Sequence, residues 1–151
     1  MSLKLLARLL SAPLVASVLT FSPWMAYAAE DLRKVTVVSF GLFGDQGVFR
    51  REATGAAQIV ASRFRGAPVI VRFNTKNNGS ATIEALEATL QASAKQMNGE
   101  SDILFLILTS HGSPEGLAIK AGRLVQTLTP SNLSKMLDRT DVRHKVVIIS
   151  A

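Results

Sequence analysis

Along residues 35–151 the spacing of apolar positions switches repeatedly between the period of a strand and that of a helix. Val35 to Leu42 ("VTVVSFGL") is rich in β-branched residues and runs into a glycine-bearing turn, "GLFGDQG". Over 49–64, Phe49, Ala53, Ala56, Ala57, Ile59, Val60 and Phe64 recur at helical spacing. "APVIVRFN" at 67–74 predicts a second strand, and the polar "TKNNGS" after it a loop. Ser80 precedes "ATIEALEATLQASAKQM", with Glu84 in the region of a capping box and Ile83, Leu86, Leu90 and Met97 on one helical face.

Residues 102–109 ("DILFLILT") are a continuous apolar run, which predicts a strand covered on both faces. The turn-rich stretch 113–130 has room for a short hairpin. Thr129-Pro130 opens a helix over "SNLSKMLDRT", and "KVVIIS" is the last strand. The order β-α-β-α-β-(hairpin)-α-β predicts an α/β fold, a mainly parallel sheet with helices on both faces. There is no internal repeat and no low-complexity segment.

The first residues do not belong to this alternation. Lys4 and Arg8 precede an apolar stretch from Leu9 to Phe21, and Ala26 and Ala28 follow at the A-x-A spacing of a signal-peptidase site. Residues 1–28 are therefore expected to be a signal peptide cleaved after Ala28, leaving 29–151 as a periplasmic or secreted domain. Pro13 and the shortness of the run argue against a stable membrane span, which needs about 20 apolar residues. An uncleaved amphipathic anchor is the alternative. No Cys follows the run, so a lipid anchor is not expected.

Charge narrows the partners. Removing Lys4 and Arg8 from the 17 basic residues leaves 15 against 11 acidic, a net charge of +4. These charges are spread along the chain with no basic stripe among aromatics, so no nucleic-acid partner is expected. The chain has no cysteine. Its fold must hold by its core alone, and no Cys nucleophile or thiolate metal site exists within it.

Candidate chemistry collects where the 102–109 strand surfaces. In an open parallel sheet, ligands bind beyond the carboxyl ends of the strands. His111 there is a candidate general acid or base, and Gly112 permits close approach and offers an N–H to an oxyanion. A His that merely ends a strand is the plainer alternative. "GLFGDQG" is neither G-x-G-x-x-G nor a Walker sequence, and a tight turn explains its glycines. His111 and His144 lack metal-ligand spacing, and no G-x-S-x-G elbow is present.

"DILFLILTSHGSPEGL" (102–117), then a helix, then "VRHKVVIISA" (142–151), resembles the core of the legumain-type cysteine peptidases, particularly their bacterial members. "VSFGLFGDQGVFRREATGAAQIV" and "ATIEALEATLQ" fit the same pattern, so the likeness spans residues 35–151. The resemblance implies a three-layer α/β/α caspase-like fold with strand order 2-1-3-4, incomplete at its C-terminal side. It implies peptide-bond hydrolysis of a peptide or protein substrate by a Cys-His dyad, with no cofactor and no metal. His111 would be the catalytic His and Gly112 the oxyanion donor, and the nucleophilic Cys would directly follow Ala151. Val48 stands where animal and plant legumains have a His-orienting Asn, and Arg50 falls at a substrate-pocket position. On this reading residues 29–151 are the N-terminal part of a peptidase domain. They are expected to be inactive alone and to self-associate through an uncovered last strand. The competing expectation is a non-catalytic exported pseudoenzyme or peptide-binding fragment.

Overall fold

The computed structural model describes residues 33–151, so the expected signal peptide at 1–28 lies outside the described residues. Four strands form a parallel sheet in the order β2-β1-β3-β7: β1 (Val35–Gly41), β2 (Val69–Phe73), β3 (Ile103–Thr109) and β7 (His144–Ser150). Counting only these four strands, the order is the expected 2-1-3-4. Helix α1 (Gly47–Arg63) joins β1 to β2, and α2 (Ile83–Ala94) joins β2 to β3. Between β3 and β7 lie a small antiparallel sheet and α3 (Pro130–Asp138).

Alternation of side chains across the sheet distributes the core. Val38 and Phe40 of β1 and Leu104, Leu106 and Leu108 of β3 point to one face. There they pack with Leu86 and Leu90 of α2 and Met136 of α3, the larger of two clusters. Val35, Val37 and Ile107 point the other way, onto Ala57, Val60 and Phe64 at α1. The result is three layers, α1 on one face and α2 with α3 on the other.

The turn-rich stretch holds more order than a single hairpin. Gly112–Ser113 (β4), Gly116–Ala121 (β5) and Leu124–Leu128 (β6) form a three-stranded antiparallel sheet. Leu117, Ile119 and Leu128 from it enter the larger core cluster. That burial stabilises a segment whose local composition suggests only turns.

Helix ends agree in part with the sequence. Thr129 caps α3 as expected, its hydroxyl accepting from Asn132 N at 3.2 Å with Pro130 in the first turn. For α2 the cap is Thr82, whose hydroxyl accepts from Ala85 N at 3.1 Å. Ser80 instead donates to Phe73 O at 2.8 Å and closes the loop after β2. Glu84 is then the second helical residue, one short of the capping-box position, and its carboxylate accepts from Gln126 Nε2 at 3.1 Å.

β7 pairs with β3 along its whole length and, among the described residues, with nothing on its other edge. Val146, Val147, Ile148 and Ile149 are each 38–52% exposed. Among the described residues no helix is long and apolar enough to cross a membrane.

Candidate functional site

From β1 the chain goes to β2 on one side, while β3 lies on the other. The loops leaving β1 and β3 meet at their carboxyl ends, the side of an open α/β sheet where ligands bind. The loop after β1 carries Phe43 and Gln46, and the loop after β3 carries His111 and Gly112.

The β1 loop is held from several sides. Leu42 N donates to Thr109 O at 2.9 Å, Lys120 N to Leu42 O at 3.0 Å, and Gly44 N to Lys120 O at 2.7 Å. Lys120 Nζ also meets Asp45 Oδ2 at 2.7 Å. Buried Asn74 at the end of β2 donates to Leu42 O at 2.8 Å and to Ala81 O at 2.9 Å. Gly44 is required by this crowding, since a Cβ there would lie 2.5 Å from Thr75 O. Close backbone approach, rather than a phosphate cradle, accounts for that glycine.

His111 stands against this fixed loop. Its ring meets Phe43 edge-on at 4.7 Å and 81°, and Phe49 of α1 at 4.8 Å and 79°. Two rings set at these angles restrict the imidazole plane. Gln46 Nε2 lies 3.0 Å from His111 Nε2. A flip of the amide offers either a donor or an acceptor to that nitrogen, so either tautomer is served. Among the described residues Nδ1 has no partner, which leaves it as the ring nitrogen open to proton transfer.

Gln46 was not legible as a site residue, although it left a trace. It is the N-cap of α1, where Ser, Thr, Asp, Asn or Gly is favoured, and its side chain makes no capping bond. The side chain is directed to the imidazole instead. Val48 has no polar atom to offer. The polar contact to His111 comes from two residues earlier.

Gly112 lies between His111 and the end of β7. Ala118 N donates to His111 O at 2.9 Å, and the pairing continues as Gly112–Leu117 and Ser113–Gly116. In an antiparallel ladder bonded and non-bonded pairs alternate, so the Gly112 N–H turns away from β5. Ser110 N donates to Ser150 O at 3.0 Å, keeping the ends of β3 and β7 in step. A Cβ on Gly112 would come within 3.0 Å of the Ala151 Cβ. Ala151 is thus brought into contact with Gly112.

A second unanticipated residue braces these ends. Glu52, the only acid in α1, accepts from the Thr109 hydroxyl at the end of β3. Its carboxylate also lies 3.5 Å from the Ser150 hydroxyl at the end of β7. A carboxylate reaching up from a helix to two strand ends fixes their relative height.

Two hollows flank these loops. Arg50 lines a polar cleft of about 370 Å³ with Asp45, Thr75, Lys76 and Asn77, its guanidinium 5.5 Å over the Phe73 ring. On the other side an apolar groove of about 490 Å³ runs between α3 and β7 and reaches Gly112 and Ala151. Leu133, Leu137, Val147 and Ile149 line it. His144 opens β7, at the end of the sheet opposite His111, so the two histidines do not meet.

Nearby hydroxyls are already engaged. Ser110 Oγ donates to Ala118 O, and Ser113 Oγ donates to Glu115 Oε2 at 2.7 Å. That hydrogen bond, with the Glu115 backbone N–H, holds the Glu115 carboxyl below its ordinary pKa. What the site offers is a positioned imidazole and an outward backbone N–H. No protein-family model matches the chain, and no curated protein matches it.

Proposed function

We propose that residues 33–151 are the His-bearing part of a cysteine-type endopeptidase of the legumain kind, with a caspase-like fold. The observation that carries this reading is the convergence of two adjacent parallel strand ends. β3 delivers His111 and Gly112, and β7 delivers Ala151 within contact of Gly112. A thiol on the residue after Ala151 would stand beside the imidazole, where loss of its proton is favoured.

In this reading His111 takes the thiol proton through Nδ1 and later returns one to the leaving amine. The sulfur attacks the peptide carbonyl, the amine leaves, and water hydrolyses the thioester. The Gly112 N–H donates to the oxyanion as charge develops there. Gln46 is a positioning residue that acts on the imidazole. Arg50 contributes to a substrate pocket, and the protein acts in the periplasm or outside the cell.

The absence of cysteine favours a second reading, a non-catalytic exported module that binds peptides at the same strand ends. One experiment separates the two. A Cys-Gly-Gly tail is added after Ala151, and its alkylation by iodoacetamide is followed against pH. A dyad gives a thiolate well below the ordinary pKa of about 8.5, and His111→Ala restores the ordinary profile. Identical profiles with and without His111 would remove the peptidase reading.

A further inference from the structure

The hollow beneath α2 lies on the opposite flank of β1 from β3 and β7, and the proposed peptidase chemistry makes no use of it. It is a cleft of about 400 Å³, within the size range of small-ligand sites. Lys34 and Arg72 bring two positive charges to it, and no acidic residue lines it. Ile70, Pro68, Ala88 and Ala92 supply apolar walls.

Each cation, though exposed, makes one hydrogen bond at the cleft. Arg72 Nε donates to Thr89 Oγ1 at 3.2 Å, which turns the guanidinium toward the cleft and leaves its terminal nitrogens without partners among the described residues. Lys34 Nζ donates to Gln96 O at 3.2 Å, using one of three donors. Neither cation has a carboxylate partner among the described residues.

Ser93 adds an independent observation. It is 7% exposed and lines the cleft, and its hydroxyl has no hydrogen-bond partner. A helical Ser ordinarily returns its hydroxyl to the carbonyl four residues earlier. Thr89 does this within the same helix, donating to Ala85 O at 2.7 Å. Ser93 does not, and an unmatched buried hydroxyl is destabilising. It is satisfied if a ligand oxygen accepts from it.

We propose that this cleft binds a small organic monocarboxylate with a short aliphatic body. The carboxylate pairs with the Arg72 fork and the Lys34 ammonium and accepts from Ser93, while the aliphatic part lies on Ile70 and the alanines. The apolar walls favour a carboxylate with a hydrocarbon tail over inorganic phosphate. This site stands whether or not the peptidase reading does.

The test is ligand-observed NMR on the full chain, with hexanoate as probe and hexylamine, hexanol and inorganic phosphate as comparators. Saturable hexanoate binding is expected, with the three comparators much weaker. Arg72→Gln is expected to weaken hexanoate by about tenfold, the scale of losing a hydrogen bond to a charged group. Arg123→Gln, in the exposed β5–β6 turn, should leave it unchanged. Ser93→Ala separates a ligand group from a structural one. It should weaken hexanoate yet raise the melting temperature of the free protein, since it removes an unmatched hydroxyl and improves helix propensity. Absence of saturable binding, equal binding of hexanol, or indifference to Arg72→Gln would overturn the proposal. So would a Ser93→Ala protein that melts lower and binds hexanoate normally.

Discussion

β1 and β7 are written in nearly the same chemistry and live in opposite surroundings. "VTVVSFG" and "HKVVIIS" are both seven-residue, β-branched strands in one parallel sheet. Every residue of β1 is buried, whereas the last five of β7 are exposed. β1 has a strand on each side and helices on both faces. β7 has β3 on one side, and α3 covers only part of one face through the apolar groove. Strand propensity therefore belongs to the sequence, but burial belongs to the neighbours.

The largest way to sharpen this comparison is by deletion in each strand. Phe40→Ala removes a fully buried ring from the larger core cluster and should cost about 3–5 kcal/mol. Ile148→Ala, at a residue 39% exposed, should cost about 1 kcal/mol or less. Urea unfolding of the two variants measures the difference. Equal losses would mean that β7 is as well covered in solution as β1.

Much of this architecture was legible because long buried strands leave continuous runs. "DILFLILT" announced β3, and the helical spacing between Phe49 and Phe64 announced α1, although its first turn begins two residues earlier. The place of His111 and Gly112 just beyond β3 was legible because a strand end is a fixed place in an α/β sheet. Gln46, Phe43 and Glu52 were not, because their roles depend on which loops the strand order brings together. The cap of α2 by Thr82 was not legible for a similar reason. Either hydroxyl fits the local pattern, and only the bond from Ser80 to Phe73 O assigns them. The exposure of β7 has no local signature at all.

The next effect lies on the free edge of β7. Backbone groups that have no partner among the described residues, beside four exposed aliphatic residues, invite strand addition. The chain is expected to self-associate with rising concentration in sedimentation velocity, and Ile148→Lys to weaken that, by about tenfold for a cost of roughly 1.4 kcal/mol. Lysine at Val38 in β1 should instead unfold the protein, since it would bury an unpaired charge. A chain that stays monomeric at high concentration would show the β7 edge already protected.

A smaller contrast lies in how the two sides are fastened. Thr129→Ala removes the cap of α3, the helix that partly covers β7, and should cost about 1 kcal/mol. Because that helix forms the other wall of the groove along β7, the same change should speed amide exchange in β7 while leaving β1 protected. Hydrogen exchange read residue by residue checks this. Equal acceleration in both strands would mean that they open as one unit.

The smallest expected effect is a pH dependence on the β1 side. The Glu84 carboxyl is held below its ordinary pKa of 4.5, first by its own backbone N–H, then by the Thr82 hydroxyl, with Gln126 contributing less. Partial desolvation opposes these, by more than Gln126 adds and by less than either of the first two. A depressed folded pKa means that the unfolded chain binds the proton more readily. The stabilisation is therefore present above pH 4.5 and is lost as pH falls through the lower, folded value. Glu84→Gln should melt slightly lower than the parent at pH 7 and match it at pH 2.5. The loss should appear in α2 and the strands it covers, because residues 144–150 contain no carboxylate of their own. A pH-independent gap between Glu84→Gln and the parent would place the effect in packing rather than in charge.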